Sequence, residues 1–318
     1  MAVPFSTLIT HAIQNRSTEL NDAFAKSNAI MTVLKEKGGI KPFDGGTSIT
    51  ENIMYGSGNG GYQVYSGFDT LTTNVSEMAT MLELPIAQYA SSVAISGLEK
   101  AQNSGKSKMI DLITSRTTGA EKELINGLTA GLYGDGSVSG SLTGLQAALT
   151  ATPALGTYGG VSRVDNTWFR HRATTGTALT AANIFGIFQT MQLQLTRGTD
   201  APSLILCPLN HFQLLSSAMI ANQRYESVAN GKYTNMGFQN LMFNGIPVFV
   251  ETAYLGTSMP ADVSYFLNMD TVKLRPFRTN SFQKFEANLA SKDADAFIMK
   301  WYGNLVISNP ALNGIVKG

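Results

Sequence analysis

At 318 residues, with 43% hydrophobic and only 14% charged side chains, the chain is a folding one whose surface is short of charge against the roughly 25% of ordinary domains. Its 23 basic and 22 acidic residues leave a net charge of +1, which excludes a generally basic nucleic-acid binder but not a local basic patch. The single cysteine, Cys207, excludes a disulfide-stapled secreted domain and fits a reducing compartment. No run approaches the roughly 18 apolar residues of a membrane span, and Met1–Ser6 has neither the basic nor the apolar region of a signal peptide.

From residue 4 to 35, Phe5, Leu8, Ile9, Ala12, Ile13, Leu20, Phe24, Met31 and Leu34 recur at helical spacing. Gly38 and Gly39 end this helical segment. It either docks on its own domain or lies as an arm on a neighbour. Residues 40–83 turn glycine-rich, with β-like runs from Thr47 to Tyr55 and from Tyr62 to Leu71 about an Asn59-Gly60 turn. The segment reads as a long hairpin without bulky residues for a core of its own, so it must lean on another surface. Leu84 to Ile86 and Val93 to Ile95 read as strand. From Lys106 to Tyr133, Met109, Ile113, Ala120, Leu124, Leu128 and Leu132 form one stripe. This predicts a spine helix of roughly 40 Å, ended by Gly134.

Residues 134–176 read as loops. A compact region follows: a helix capped by Thr180 and bearing Ile184, Phe188, Met191 and Leu195, a strand at Leu204 to Leu206, and a helix after Pro208. Strands are expected near 241–251, 263–269, 271–277, 281–287 and 295–308, with a loop-like tail from Pro310 to Gly318. Helices and strands segregate, so the fold class is α+β.

Motifs that carry chemistry fail in context. Gly56 to Gly61 satisfies G-x-G-x-x-G, but Tyr62-Gln63-Val64-Tyr65 follows in place of the helix that would hold a pyrophosphate. Cys207 and His211 stand four apart across Pro208, too few ligands for zinc, and a buried cysteine accounts for them better. No constellation of nucleophile, base and orienting group emerges, so no enzyme, cofactor or metal is expected. Trp168-Phe169 beside Arg170-His171-Arg172 either stacks on a base or partner or anchors a loop. Lys100, Lys106, Lys108, Arg116 and Lys122 form a solvated face of the spine, or an inner surface if the chain encloses nucleic acid.

The order of parts resembles the tailed-bacteriophage major capsid proteins, the Hong Kong 97-like fold. So do three stretches: Thr143-Gly144-Leu145-Gln146 with Gly159-Gly160-Val161 and Trp168; Leu204 to Pro208 with Phe212 and Leu215; and Leu241 to Val248. The resemblance implies an N-terminal arm (1–46), an extended loop overlapping an adjacent subunit (47–83), a peripheral domain carrying the spine (84–176), an axial domain (177–270), and returning strands with the tail (271–318). It places assembly contacts at Gly56, Asn59, Gly60, Tyr62, Tyr65 and Trp168, and DNA-facing basic residues at Lys106, Lys108, Arg116 and Lys122. The implied partners are copies of the chain in hexamers and pentamers, a scaffolding protein, a portal, decoration proteins and packaged double-stranded DNA, in a virion assembled in the bacterial cytoplasm. Some relatives carry a helical scaffolding segment before the arm. Here Met1 leads straight into it, so a separate scaffolding protein or a mature form is expected. An encapsulin-like compartment and a hydrolase with a cryptic site are the alternatives.

Overall fold

A computed structural model describes residues 29–55, 64–70, 79–102, 106–221, 240–251, 259–278, 283–287 and 293–318. The N-terminal helical pattern before Ala29, and the Asn59-Gly60 turn, lie outside these residues. What is described of the N-terminal pattern docks on the chain itself. Helix α1 (Ala29–Glu36) buries Ile30, Met31, Val33 and Leu34. The buried carboxylate of Glu251 accepts a hydrogen bond from its first amide, Ala29 N, at 3.0 Å, where the helix dipole favours negative charge. Gly38, at φ 66°, ends the helix. Ile40 and Phe43 then form bridges to Leu274 and Phe277.

The hairpin differs from its expected pairing. Strand β1 (Ser48–Met54) pairs antiparallel with β2 (Ala79–Pro85), from Ser48↔Pro85 to Met54↔Ala79. The expected return strand at 62–71 shows no strand over its described part, 64–70, where Ser66 to Asp69 make a turn. Val64 and Tyr65 have the alternation of a strand, but among the described residues no strand pairs with them, and both are exposed. The true return strand buries Leu82 and Leu84 against the core.

Strand β3 (Ala87–Ser96) and helix α2 (Gly97–Gln102) lead into helix α3 (Lys106–Tyr133), the predicted spine. Ile113, Ala120, Leu124, Leu128 and Leu132 are buried on its stripe. Short elements follow: α4 (Leu145–Ala148), β4 (Thr157–Tyr158), β5 (Val161–Ser162) and β6 (Arg172–Thr174). Helix α5 (Ile184–Leu195) starts later than its Thr180 signal suggests. Asn183 is the N-cap, and Thr180 sits in the preceding turn with its amide donating to Asn183 Oδ1 at 2.8 Å.

The remaining elements are β7 (Leu204–Cys207), α6 (Leu209–Ala221), β8 (Asn240–Phe243), β9 (Ile246–Val250), β10 (Val263–Leu267), β11 (Val272–Pro276), β12 (Gln283–Ala287), β13 (Ala294–Ile307) and β14 (Gly314–Lys317). Two sheets organise them. In one, β13 is the hub: β3 lies along one side, and β12 and β11 share the other, at 296–300 and 303–307. The spine packs on β3. The other has the order β6-β14-β10-β7-β9-β8. Helices α5 and α6 cover it through a separate core of Ile184, Phe188, Met191, Leu215 and Val316.

The tail corrects its loop reading. A 3₁₀ turn at Pro310–Leu312 leads into β14, which lies between β10 and β6 with Ile315 and Val316 buried. Its Pro, Asn and Gly punctuation marks the turn before a strand, not a loop to the end.

Candidate assembly surface

The hairpin is fixed at its base, and its outer face is mixed, with Thr50, Asn52 and Glu83 beside Met54 and Met81. Ile49, Ile53, Leu82 and Leu84 turn inward. Glu51 pairs with Lys273 and, at 3.7 Å, with Arg275, tying the base to β11. On the outer face Met54 is 82% exposed and Met81 stands diagonally across the ladder. Beyond them Val64, Tyr65 and Phe68 are exposed, and Phe68 is fully so. The turn presenting Phe68 is held twice: Asp69 N donates to Ser66 O at 3.1 Å, and Ser66 N donates to Asp69 Oδ2 at 2.8 Å. Gly67 takes φ 48° at its centre. Of the expected contact residues, Tyr65 is thus exposed, while Gly56, Asn59, Gly60 and Tyr62 lie outside the described residues.

Trp168 is half-buried against the other end of β1. Its ring stacks on Tyr55 with centroids 4.4 Å apart and planes at 9°, and meets Phe169 edge-on at 5.4 Å. Its Nε1 donates to Asn166 Oδ1 at 3.2 Å. The residue therefore anchors the hairpin within the chain, with a polar partner for its one donor.

The expected basic face of the spine is mixed. Arg116 pairs with Glu99 at 2.9 Å, and Lys122 is exposed. Lys106 and Lys108 open α3, and their side chains, like that of Lys100, lie outside the described part of the structure.

Between the hairpin base and the loops after the spine lies an open pocket of about 620 Å³. Its floor comes from a hairpin of β4 and β5, turned by Gly159 and Gly160, both at positive φ. Such turns favour glycine at both central positions. A side chain at Gly159 would also strike Leu82. Just beyond β5, Arg163 is only 1% exposed and has no carboxylate partner among the described residues. One terminal nitrogen donates to Ala148 O at 2.6 Å and Ala147 O at 3.0 Å. The other reaches Thr150 Oγ1 at 3.4 Å and Leu155 O at 3.5 Å, and among the described residues Nε has no partner. Burial lowers its proton affinity. Beside it, His171 donates from Nε2 to Thr150 O at 2.7 Å, a tautomer assigned because a carbonyl only accepts. Burial is the main cause that pushes its pKa down to about 4.

The cryptic-site alternative has one close arrangement. Cys207 ends β7, and His211 lies on the next helix, as expected. Both converge on Ser264, whose Oγ is 2.7 Å from His211 Nδ1. Ser264 and Cys207 have no exposure, and burial pushes the thiol up to about 12. A nucleophile needs access and a formed anion, so this cluster is a packed polar contact. Ser264 has no sequence signal that could have paired it with His211. Among the described residues no three His, Cys, Asp or Glu side chains gather as metal ligands, and no helix is long and apolar enough to cross a membrane.

The chain thus combines a long spine helix, a hairpin and two main sheets, with most of the large exposed apolar residues among the described ones on the hairpin segment and on the loops beyond the spine. The family described as SU10 major capsid protein matches residues 90–318, and the chain belongs to that family. It is a major capsid protein, a structural subunit of the head of a tailed phage. No curated protein matches the sequence. Among solved structures, the chain resembles the capsid asymmetric unit of cyanophage A-1(L), with 16% identity, TM-score 0.65, and 87% of this chain and 89% of that one covered. It also resembles the capsid of a native GTA particle, at 12% identity, TM-score 0.59 and 88% of each chain. The capsid of Myoviridae phage XM1 matches at 14% identity and TM-score 0.53, over 90% of this chain and 91% of that one. The fold is the Hong Kong 97-like capsid fold. The family match favours the head subunit over the compartment and hydrolase readings.

Proposed function

We propose that copies of this chain assemble into hexamers and pentamers that close an icosahedral head around double-stranded DNA in the bacterial cytoplasm, with no catalytic role. The hairpin, 47–83, overlaps an adjacent subunit. Residues 84–176 form the peripheral domain and 177–270 the axial domain, and 271–318 return to the peripheral sheet. Strands β6 and β14 extend the axial sheet. A scaffolding protein, a portal and decoration proteins are the further partners, and the DNA is held without sequence readout. Arg116 and Lys122, with Lys106 and Lys108, are the inner basic face, where mobile counterions complete the neutralisation that a chain of net charge +1 leaves undone.

One observation carries this reading: large apolar side chains, Met54, Met81, Val64, Tyr65 and Phe68, stand exposed on the hairpin segment. Such patches mark interaction sites, and a symmetric shell covers them on every copy at once. Electron microscopy and small-angle scattering of the purified protein test it. A compact monomer of this length has a radius of gyration near about 20 Å. Rings or shells far above that size are expected, and a monodisperse species at that size would sink the reading.

A further inference from the structure

The inward carboxylate of Glu51 lies between the cations of Lys273 and Arg275. Glu251, just after β9, has no such company. It is only 4% exposed and forms no ion pair among the described residues. Its place joins three parts of the chain. Its backbone amide donates to Cys207 O at 3.0 Å, which holds it beside β7. Its Oε1 accepts from Ala29 N, the first amide of α1, at 3.0 Å. The phenol of Tyr133, fully buried at the last residue of the spine, also hydrogen-bonds the carboxylate. The sheet of β7 and β9, the N-terminal helix and the spine thus meet on one side chain.

Opposing effects act on its charge. The amide and the phenol favour the carboxylate, and so does the positive end of α1. Burial opposes them and outweighs them, so the carboxyl keeps its proton to higher pH than an ordinary glutamate does. The groups facing it supply no counter-charge. From α1 comes only the amide, since Lys35 and Glu36 stand exposed in its last turn. From α3 comes the phenol. From β7 comes a carbonyl, beside a thiol that burial keeps neutral. A neutral carboxyl fits the same partners. Its carbonyl oxygen still accepts from Ala29 N, and its hydroxyl donates to Tyr133 Oη, because a phenol both donates and accepts. Protonation therefore reverses one hydrogen bond and breaks none.

We propose that Glu251 is a proton-operated latch on the N-terminal helix. With the carboxyl protonated, α1 stays docked. When the proton is lost as the pH rises, an uncompensated charge is closed inside the junction, and α1 lifts to let water reach it. This device goes beyond the shell reading and does not depend on it. The docked form binds the proton more tightly than an opened one, in which the carboxyl returns to its ordinary value of 4.5. Docking is therefore fully supported below 4.5 and weakens as the pH climbs through the raised value. Burial lowers the proton affinity of His171 and His211, which act in the other direction. A global readout mixes the two, so the test is local.

Hydrogen exchange of the full-length protein from about pH 4 to about pH 9, corrected for intrinsic rates, reads α1 and β10 side by side. The amides of Val33 to Lys37 are expected to open more easily than those of β10. Their protection should fall by about tenfold per pH unit between the ordinary and the raised value. Glu251→Gln keeps an acceptor for Ala29 N and cannot ionise, so its α1 should be equally protected at every pH. Tyr133→Phe removes a donor that favours the charge, so the fall should extend to higher pH. A merely structural phenol would lower protection evenly, with no movement along the pH axis. A wild-type profile without slope would overturn the latch, and so would a slope that persists in Glu251→Gln. If α1 exchanges only together with β10, at equal protection, it opens with the whole fold and the latch fails. If Glu251→Gln does not fold, an unmoved profile in Tyr133→Phe overturns it.

Discussion

Individual side chains around the pocket hold backbone to backbone across long sequence distances, and each has a measurable signature. Arg163 gathers carbonyls from Ala147, Ala148 and Leu155. Asn304, fully buried, accepts from Thr143 N at 2.9 Å and Leu305 N at 2.8 Å, and donates to Pro85 O at 2.7 Å and Thr143 Oγ1 at 3.0 Å. A completely satisfied amide of this kind fixes β13, the hairpin base and the loop after the spine in one register. His171 adds a pH dependence. Its folded pKa, about 4, lies below its ordinary value of 6.5. Below pH 6.5 the unfolded chain therefore binds a proton that the folded chain refuses. The contribution of His171 to stability should fall as the pH drops from about 6.5 to about 4, by roughly 3 kcal/mol, and be constant below, with His211, likewise lowered by burial, acting in the same direction. Chemical denaturation across that range checks the sign, and His171→Gln should flatten the profile. Gly144 makes a steric prediction. A Cβ there would strike the carbonyl oxygens of Gly131, Leu132 and Gly134 at the end of the spine. Gly144→Ala should cost about 1–3 kcal/mol, and an unchanged melting temperature would show that the loop can retreat.

Elements divide by whether their burial is written locally. The spine, α3, has its whole apolar stripe within one segment, so periodicity places it from Lys106 to Tyr133. Leu124→Asp puts an unpaired charge into that stripe and should destabilise the subunit by at least about 4 kcal/mol, read as loss of the thermal transition. Strand β7 and the helix after Pro208 are likewise marked by their own residues. The hairpin return was not, because Val64 and Tyr65 carry as good a strand pattern as Leu82 and Leu84. Only the long-range fit of the latter pair to the core decides between them. Strand β14 was missed for a related reason. Ile315-Val316 is too short a run to show a period, and its burial depends on β10 and β6 on either side. The pocket was invisible in sequence for the same cause: Arg163 meets its acceptors through loop closure, and no motif records that.

For the molecule as a whole, order of parts carried more information than any motif, since no catalytic or metal signature distinguished the chain. The assembly role then rests on what the folded subunit leaves uncovered. Deleting Gly56 to Gly61 should leave the subunit folded, because the ladder of β1 and β2 and the Tyr55–Trp168 stack lie outside the deletion. Ring and shell formation should be lost, as read by sedimentation and microscopy beside circular dichroism. A deletion variant without folded signal would instead place the segment in the core.

The pairing of β3 with β13 has a consequence in time. Strand β3 ends at Ser96 and its partner begins at Ala294, so a ribosome adding about 5–20 residues per second takes roughly 10–40 s to supply the second after the first. Throughout that interval β3, and for most of it the spine, exist without the strand β13 that completes their sheet. The central sheet therefore closes late, around nonlocal contacts of the kind that slow folding. Nascent chains crowded on one message would expose their stripes side by side during that interval.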